Sequence, residues 1–192
     1  MEMKDCEALG ADQKVREKSG LTRREWIVGA LSFLSAAIIP FRSSPAKASS
    51  YSLPKEAEEA MRTSPLIYVS PLRSNGQESR CHGEVWFFED QGDAVIFTAR
   101  DRWKATAVRD GLDEARIWVG DVGPVGRSGG RFRQEPSFKA SASLDTSSET
   151  FRRLMTAFAK RYPDEWGKWG PRFQKGWDQG TRVMIRYKPI AS

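Results

Sequence analysis

The segment Phe97-Thr98-Ala99-Arg100-Asp101-Arg102-Trp103-Lys104 runs on through Ala105 to Arg109-Asp110-Gly111 and places four cations within ten residues. A β-rich run ends at Thr98, and the spacing predicts a helix opening at Asp101, with Asp101 as its cap and Arg102 and Lys104 in its first turn. Unpaired backbone N–H groups at a helix start, flanked by cationic side chains, suit a phosphate. Charge-assisted hydrogen bonds contribute roughly 1.5–3 kcal/mol each. Two or three of them supply much of the roughly 8 kcal/mol of a micromolar complex. The alternative is a solvated helix face on which Arg100, Arg102, Lys104 and Arg109 pair in part with Asp101 and Asp110. Residue types alone leave both readings open.

The elements that must position this segment are mostly strands. Leu66 to Val69 is a short apolar run ended by Pro71, and Ser74-Asn75-Gly76 is a turn signal. The runs Glu84 to Glu89 and Ala94 to Ala99, separated by Asp90-Gln91-Gly92-Asp93, predict a hairpin. Ala115 to Val119 and Phe138 to Ala142 predict two further strands. In the last, Val183, Ile185 and Tyr187 alternate with Arg182, Met184 and Arg186. Phe151, Leu154, Met155 and Phe158 recur at helical spacing and predict one core-facing helix, and Lys55 to Arg62 can form another. Several strands at hairpin spacing with few helices give a mainly β (α+β) class, an antiparallel barrel with peripheral helices.

The order of a strand with a Ser-Asn-Gly turn, a strand, a turn, a strand ending in Phe-Thr and a helix with lysine resembles the pyridoxamine 5'-phosphate oxidase-like split β-barrel family. The resemblance covers Ser64 to Val119, and more loosely the last strand. In that family a threonine at the strand end is followed six residues later by a lysine on the FMN phosphate, and Thr98 and Lys104 keep this spacing. Where the family often has a serine two residues before the lysine, this chain has Arg102. The resemblance implies a homodimer with FMN in the groove between subunits. Thr98, Arg100, Arg102, Trp103 and Lys104 would lie around the phosphate, with Arg73 as a second phosphate-side residue. The backbone of Trp86 and Phe87 would lie near the isoalloxazine ring. A related branch binds the deazaflavin F420 and shows a Gly-Arg-x-Ser-Gly turn where this chain has Leu72-Arg73-Ser74-Asn75-Gly76, so FMN leads and F420 is the alternative.

Other features carry less chemistry. Cys81 and His82 are adjacent, on opposite faces if in a strand, and cannot complete a zinc site, so no metal is expected. The stretch Gly120 to Arg133 lacks a P-loop ending and reads as a mobile hairpin whose Arg127, Arg131 and Arg133 could close over an anion. In Tyr162 to Phe173, Trp166 and Trp169 stand three apart between Pro and Gly breaks. They read as core or barrel-end aromatics, or as the wall of a pocket. No residue identifies itself as a catalytic acid or base, so the catalytic residues are unknown.

The front of the chain is a separate unit. Arg23 and Arg24 precede a run of 14 apolar or small residues, 26–39, followed by Ala46-Lys47-Ala48. A membrane span needs about 20 residues, so no stable span is expected. The pattern Thr22-Arg23-Arg24-Glu25-Trp26-Ile27 resembles the bacterial twin-arginine export signal, which implies contact with that translocation machinery and a periplasmic or exported location. Residues 1–48 are then a cleaved leader, 49–64 a polar lead and 65–192 the barrel domain. Residues 49–192 hold 23 Lys and Arg against 19 Asp and Glu, scattered along the chain, and no nucleic-acid partner is expected. Cys81 is the sole cysteine of that part, which leaves no internal disulfide after cleavage. The resulting expectation is an exported FMN-binding split-barrel flavoprotein, an oxidoreductase for a small-molecule substrate. Its rivals are an F420-dependent reductase and a non-enzymatic flavin- or haem-binding protein, for which His82 is the one histidine able to ligate iron.

Overall fold

The computed structural model describes residues 53–191, so the leader and the twin-arginine pattern lie outside the described residues. The elements run α1 (Lys55–Thr63), β1 (Leu66–Pro71), β2 (Gly83–Asp90), β3 (Asp93–Ala99), α2 (Trp103–Arg109) and β4 (Glu114–Val119). There follow β5 (Ser137–Asp145), α3 (Ser148–Arg161), α4 (Pro163–Asp178) and β6 (Arg182–Ile190). The strands close in the order β1-β2-β3-β6-β5-β4, with every pairing antiparallel. The class is therefore α+β, an antiparallel split barrel with peripheral helices.

Alternation along each strand sends one set of side chains inward. Ile67, Val69, Phe87, Ile96, Ile117, Phe138 and Ile185 fill the barrel, joined by Ala57 and Met61 of α1 and Ala105 of α2. The polar lead thus ends in a helix that belongs to the core. The other face of β2, β3 and β6 is covered by α3 and α4 through Phe88, Val95, Phe97 and Met184 against Phe151, Leu154, Phe158 and Phe173. Strand β3 is consequently buried on both faces, whereas β5 keeps an alternating pattern, with Phe138, Ala140 and Ala142 buried. The hairpin between β2 and β3 turns on Gln91 and Gly92, both at positive φ (60° and 89°), the geometry of a two-residue turn matched to strand twist.

Two expectations are corrected. Helix α2 begins at Trp103 with Arg102 as its cap residue and no side-chain cap. The Arg102 N–H donates to Ala99 O at 3.1 Å, which places Asp101 inside a tight turn rather than at the helix start. The stretch after Gly120 is packed: Phe132 stacks on Tyr68 (5.2 Å) and meets Trp118 edge-on (5.2 Å).

Candidate functional site

Strand β3 delivers Thr98 to the barrel end, paired with Val183 of β6 and buried. Beyond it the chain turns, and the cationic residues separate to the two sides of β3. Lys104 goes towards β2. A Cβ on Gly83 would stand 2.6 Å from Lys104 Nζ and 3.1 Å from Trp103 Cζ2, so the absence of a side chain at Gly83 makes room for the amine. The amine lies 4.4 Å from the centre of the Trp103 ring and forms no ion pair among the described residues. Burial holds it down to about 8, with Arg102 adding repulsion and Glu84 opposing. Glu84 itself is exposed and accepts a hydrogen bond from the Val125 N–H.

Arg100 goes the other way, towards β6. Its backbone N–H donates to Thr181 O (2.9 Å) and its Nε to Gly180 O (2.7 Å). These bonds tie the turn after β3 to the turn before β6. Between the two turns lies a cleft of about 600 Å3 lined by Arg100, Asp101, Arg109 and Arg182 among others. Arg182 packs with its carbons against Gly176 and its guanidinium over Phe173 (5.1 Å) and Trp169 (5.9 Å).

The remaining predicted residues are dispersed. Arg73 sits in the turn after β1, where its N–H donates to Gln77 O and its O accepts from the Gly76 N–H. Trp86 faces outward and stacks on Tyr162 at 4.1 Å with rings 4° from parallel, beneath α3 and α4. Phe87 faces the barrel interior, and its backbone is engaged by Tyr162. The Phe87 N–H donates to Tyr162 Oη (3.2 Å), which in turn donates to Pro65 O (2.7 Å) and lies 3.1 Å from Phe87 O. Tyr162 therefore caps β2 just beyond its pairing with the first residue of β1, and burial pushes its hydroxyl up to about 12. Tyr162 opens an aromatic tract along the chain, and nothing local to it signals this long-range cap.

The histidine is also committed. His82 Nε2 accepts from Arg133 (2.9 Å), and Nδ1 lies 3.1 Å from Arg80 O as its donor. Burial and the neighbouring Arg133 lower its basicity, against opposing contributions from Arg80 O and Glu78. Arg133 further pairs with Glu78 at 3.6 Å, and Arg131 Nε donates to Ser128 O, so both arginines serve their own neighbourhood. Trp166 and Trp169 pack against the second aromatic cluster, in line with their reading as core residues. Arg182 shows in the sequence only as one of the residues alternating along the last strand, and its place in the cleft depends on the pairing of β6 with β3.

No family model matches the sequence, and no curated protein matches it. Solved structures with a similar fold include HutZ, the haem storage protein of Vibrio cholerae (13% identity, 73% of this chain and 92% of that one, TM-score 0.49). Others are a pyridoxamine 5'-phosphate oxidase homologue of Listeria innocua (13%, 71% and 93%, 0.47) and an F420 reductase (16%, 72% and 97%, 0.44). The likeness to these structures is one of fold alone.

Proposed function

We propose that the chain is an exported, homodimeric binding protein for a phosphate-bearing ligand, with FMN as the ligand that its sequence pattern favours and F420 as the alternative. One observation carries the reading: the enclosed Lys104 amine has no carboxylate partner among the described residues, at the position the resemblance gives to a flavin phosphate. A cation held in apolar surroundings without a counter-ion is costly, and an arriving phosphate offsets that cost. The Trp103 ring flanks the seat, and Thr98 closes the strand that leads to it. A bound flavin would supply the redox chemistry, and the protein would supply grip, orientation and exclusion of water.

The fit is confined to the phosphate end. The Phe87 backbone groups expected near the ring are satisfied by Tyr162, and the Trp86 face is occupied by the Tyr162 ring. This favours a second reading, a barrel that binds phosphate compounds without a flavin ring against β2. Haem is disfavoured on chemical grounds, because both His82 nitrogens are used in hydrogen bonds.

The deciding experiment is the visible spectrum and molecular mass of the protein purified after native export. The first reading expects flavin bands and a dimer, with the bands lost in Lys104→Ala. A deazaflavin band redirects it to F420. A colourless wild-type protein that also fails to take up added FMN removes the flavin, and a monomer removes the homodimer. Turnover of a reduced nicotinamide by the coloured protein separates an oxidoreductase from a carrier.

A further inference from the structure

The cleft between β3 and β6 is a second and separate cationic site. Strand β3 stands between β2 and β6 in the barrel, so the Lys104 amine at Gly83 and the cleft at Thr181–Arg182 flank its end on opposite sides. Three guanidinium groups and one carboxylate, Asp101, line the cleft. None of Arg100, Arg109 and Arg182 is in an ion pair with a described residue. Arg100 is fixed through Nε to Gly180 O, and its terminal nitrogens make no hydrogen bond to the described residues. Arg109 gives one nitrogen to Thr106 Oγ1 at 3.0 Å and keeps the others. Arg182 is braced by its carbons at Gly176 and by the faces of Phe173 and Trp169.

That bracing matters because a guanidinium whose rotamer is already set loses little freedom on binding. Two of the three cleft arginines are held in this way, one by a backbone carbonyl and one by aromatic faces. Burial, then repulsion from Arg102 and Arg172, lowers the basicity of Arg182, and only Asp101 opposes. Arg182 is thus repelled by Arg102 and Arg172 near the cleft, and an anion of two or more charges relieves that repulsion.

We infer that this cleft binds a multiply charged phosphoryl anion, a phosphate monoester or a diphosphate, through Arg100, Arg109 and Arg182. This goes beyond the Lys104 reading and does not depend on it. On either reading of the Lys104 seat, the cleft would take a second phosphorylated molecule, the class to which a substrate or a nucleotide donor belongs.

The test uses inorganic pyrophosphate and inorganic phosphate as probes, with acetate as the monovalent control, in calorimetric titration and thermal-shift measurements at fixed ionic strength. Pyrophosphate is expected to saturate the wild-type protein at submillimolar concentration, more tightly than phosphate, with acetate at least tenfold weaker than either. Arg182→Gln and Arg109→Gln should each weaken pyrophosphate at least fivefold, and Arg62→Ala, exposed on α1 and outside the cleft lining, should leave it within twofold. Arg109 is exposed and its one side-chain hydrogen bond among the described residues is to Thr106, so its variant remains informative if Arg182→Gln folds poorly. Absence of saturation by 10 mM pyrophosphate, equal binding by both arginine variants, or acetate as tight as pyrophosphate each overturns the cleft. A large loss in Lys104→Ala with none in the arginine variants assigns the anion to the Lys104 seat instead. A flavin-free protein that still binds pyrophosphate through Arg182 and Arg109 overturns the flavin and leaves the cleft standing.

Discussion

Lys104 shows how one position governs both binding and stability. A lysine drawn into an ion pair has its ammonium form favoured, but this amine lies over an indole ring with no paired carboxylate, and its ordinary value near 10.5 falls to about 8. The folded value is below the unfolded one, so between about 8 and 10.5 the unfolded chain holds a proton that the folded chain has released. Stability from this group therefore rises with pH across that window, and below it the charged amine opposes folding in full. Urea unfolding of the ligand-free protein between pH 7.5 and 10 is expected to show a rise in midpoint that Lys104→Met lacks. Gly83→Ala probes the same enclosure from outside. Its new methyl would stand 2.6 Å from Nζ, and because the amine ends a flexible chain it moves to solvent rather than breaking the strand. That variant should also lose the pH-dependent rise. Identical pH profiles for wild type and Lys104→Met would mean that the amine is solvated.

Helix α4 carries Gly167, Gly170 and Gly176, with Pro171 inside it, and its glycines do different things. Nothing stands within 4 Å of a Cβ built on Gly167, whereas one on Gly170 would lie 2.9 Å from the Trp166 ring and one on Gly176 2.6 Å from Arg182. Alanine in an open helical position is better than glycine by about 0.5–1 kcal/mol. Gly167→Ala is therefore expected to raise stability by about that much in urea unfolding. Gly170→Ala should lower it, because Trp166 is held against Phe173 at 6.3 Å and must shift. A similar gain for both variants would show that the Trp166 ring is free to move. The same glycines and prolines explain why this helix was hard to read: Pro163, Gly167, Gly170 and Pro171 look like breaks along the chain. Pro163 in fact occupies the first helical turn, where no intrahelical N–H bond is lost. The strands were legible because alternation and the Asp90-Gln91-Gly92-Asp93 turn are local signals. The split of the Thr98–Lys104 cations across β3 was not legible, since it depends on β6 pairing with β3 from the far end of the sequence. Thr98 and Lys104 could be picked from their spacing, whereas Arg182 could be found only after the barrel was closed.

Across the whole molecule, the helical layer and the barrel are joined by one charged cluster. The carboxylate of Asp90, at the end of β2, accepts two hydrogen bonds from Arg153 of α3 (3.1 and 3.0 Å) and one from Arg186 of β6 (2.6 Å). Arg186 also reaches Asp93 at 3.0 Å and Asp145 at 2.9 Å, so the two hairpin ends, the last residue of β5 and the first covering helix meet at one point. Burial alone would push the Asp90 carboxyl up, but the hydrogen bonds from Arg153 and Arg186 outweigh it and hold the carboxyl below its ordinary value near 3.8. Its folded value lies below the unfolded one, so its contribution is fully present above about pH 4 and is lost as the pH falls through the lower, folded value. Removing one partner from a buried ion cluster is costly because the others remain desolvated, on the order of 3 kcal/mol. Asp90→Asn is thus expected to lower stability at pH 7 by roughly that amount and to flatten the decline between pH 4 and pH 2. Arg62→Ala is the control, since Arg62 is exposed and pairs with Glu58 and Glu59 only along α1. Exposed pairs contribute less than about 1 kcal/mol. Urea midpoints at pH 7 and pH 3 for the two variants test the idea directly. If Asp90→Asn costs no more than Arg62→Ala, the cluster does not join the layers, and the aromatic contacts of α3 and α4 hold them to the barrel alone.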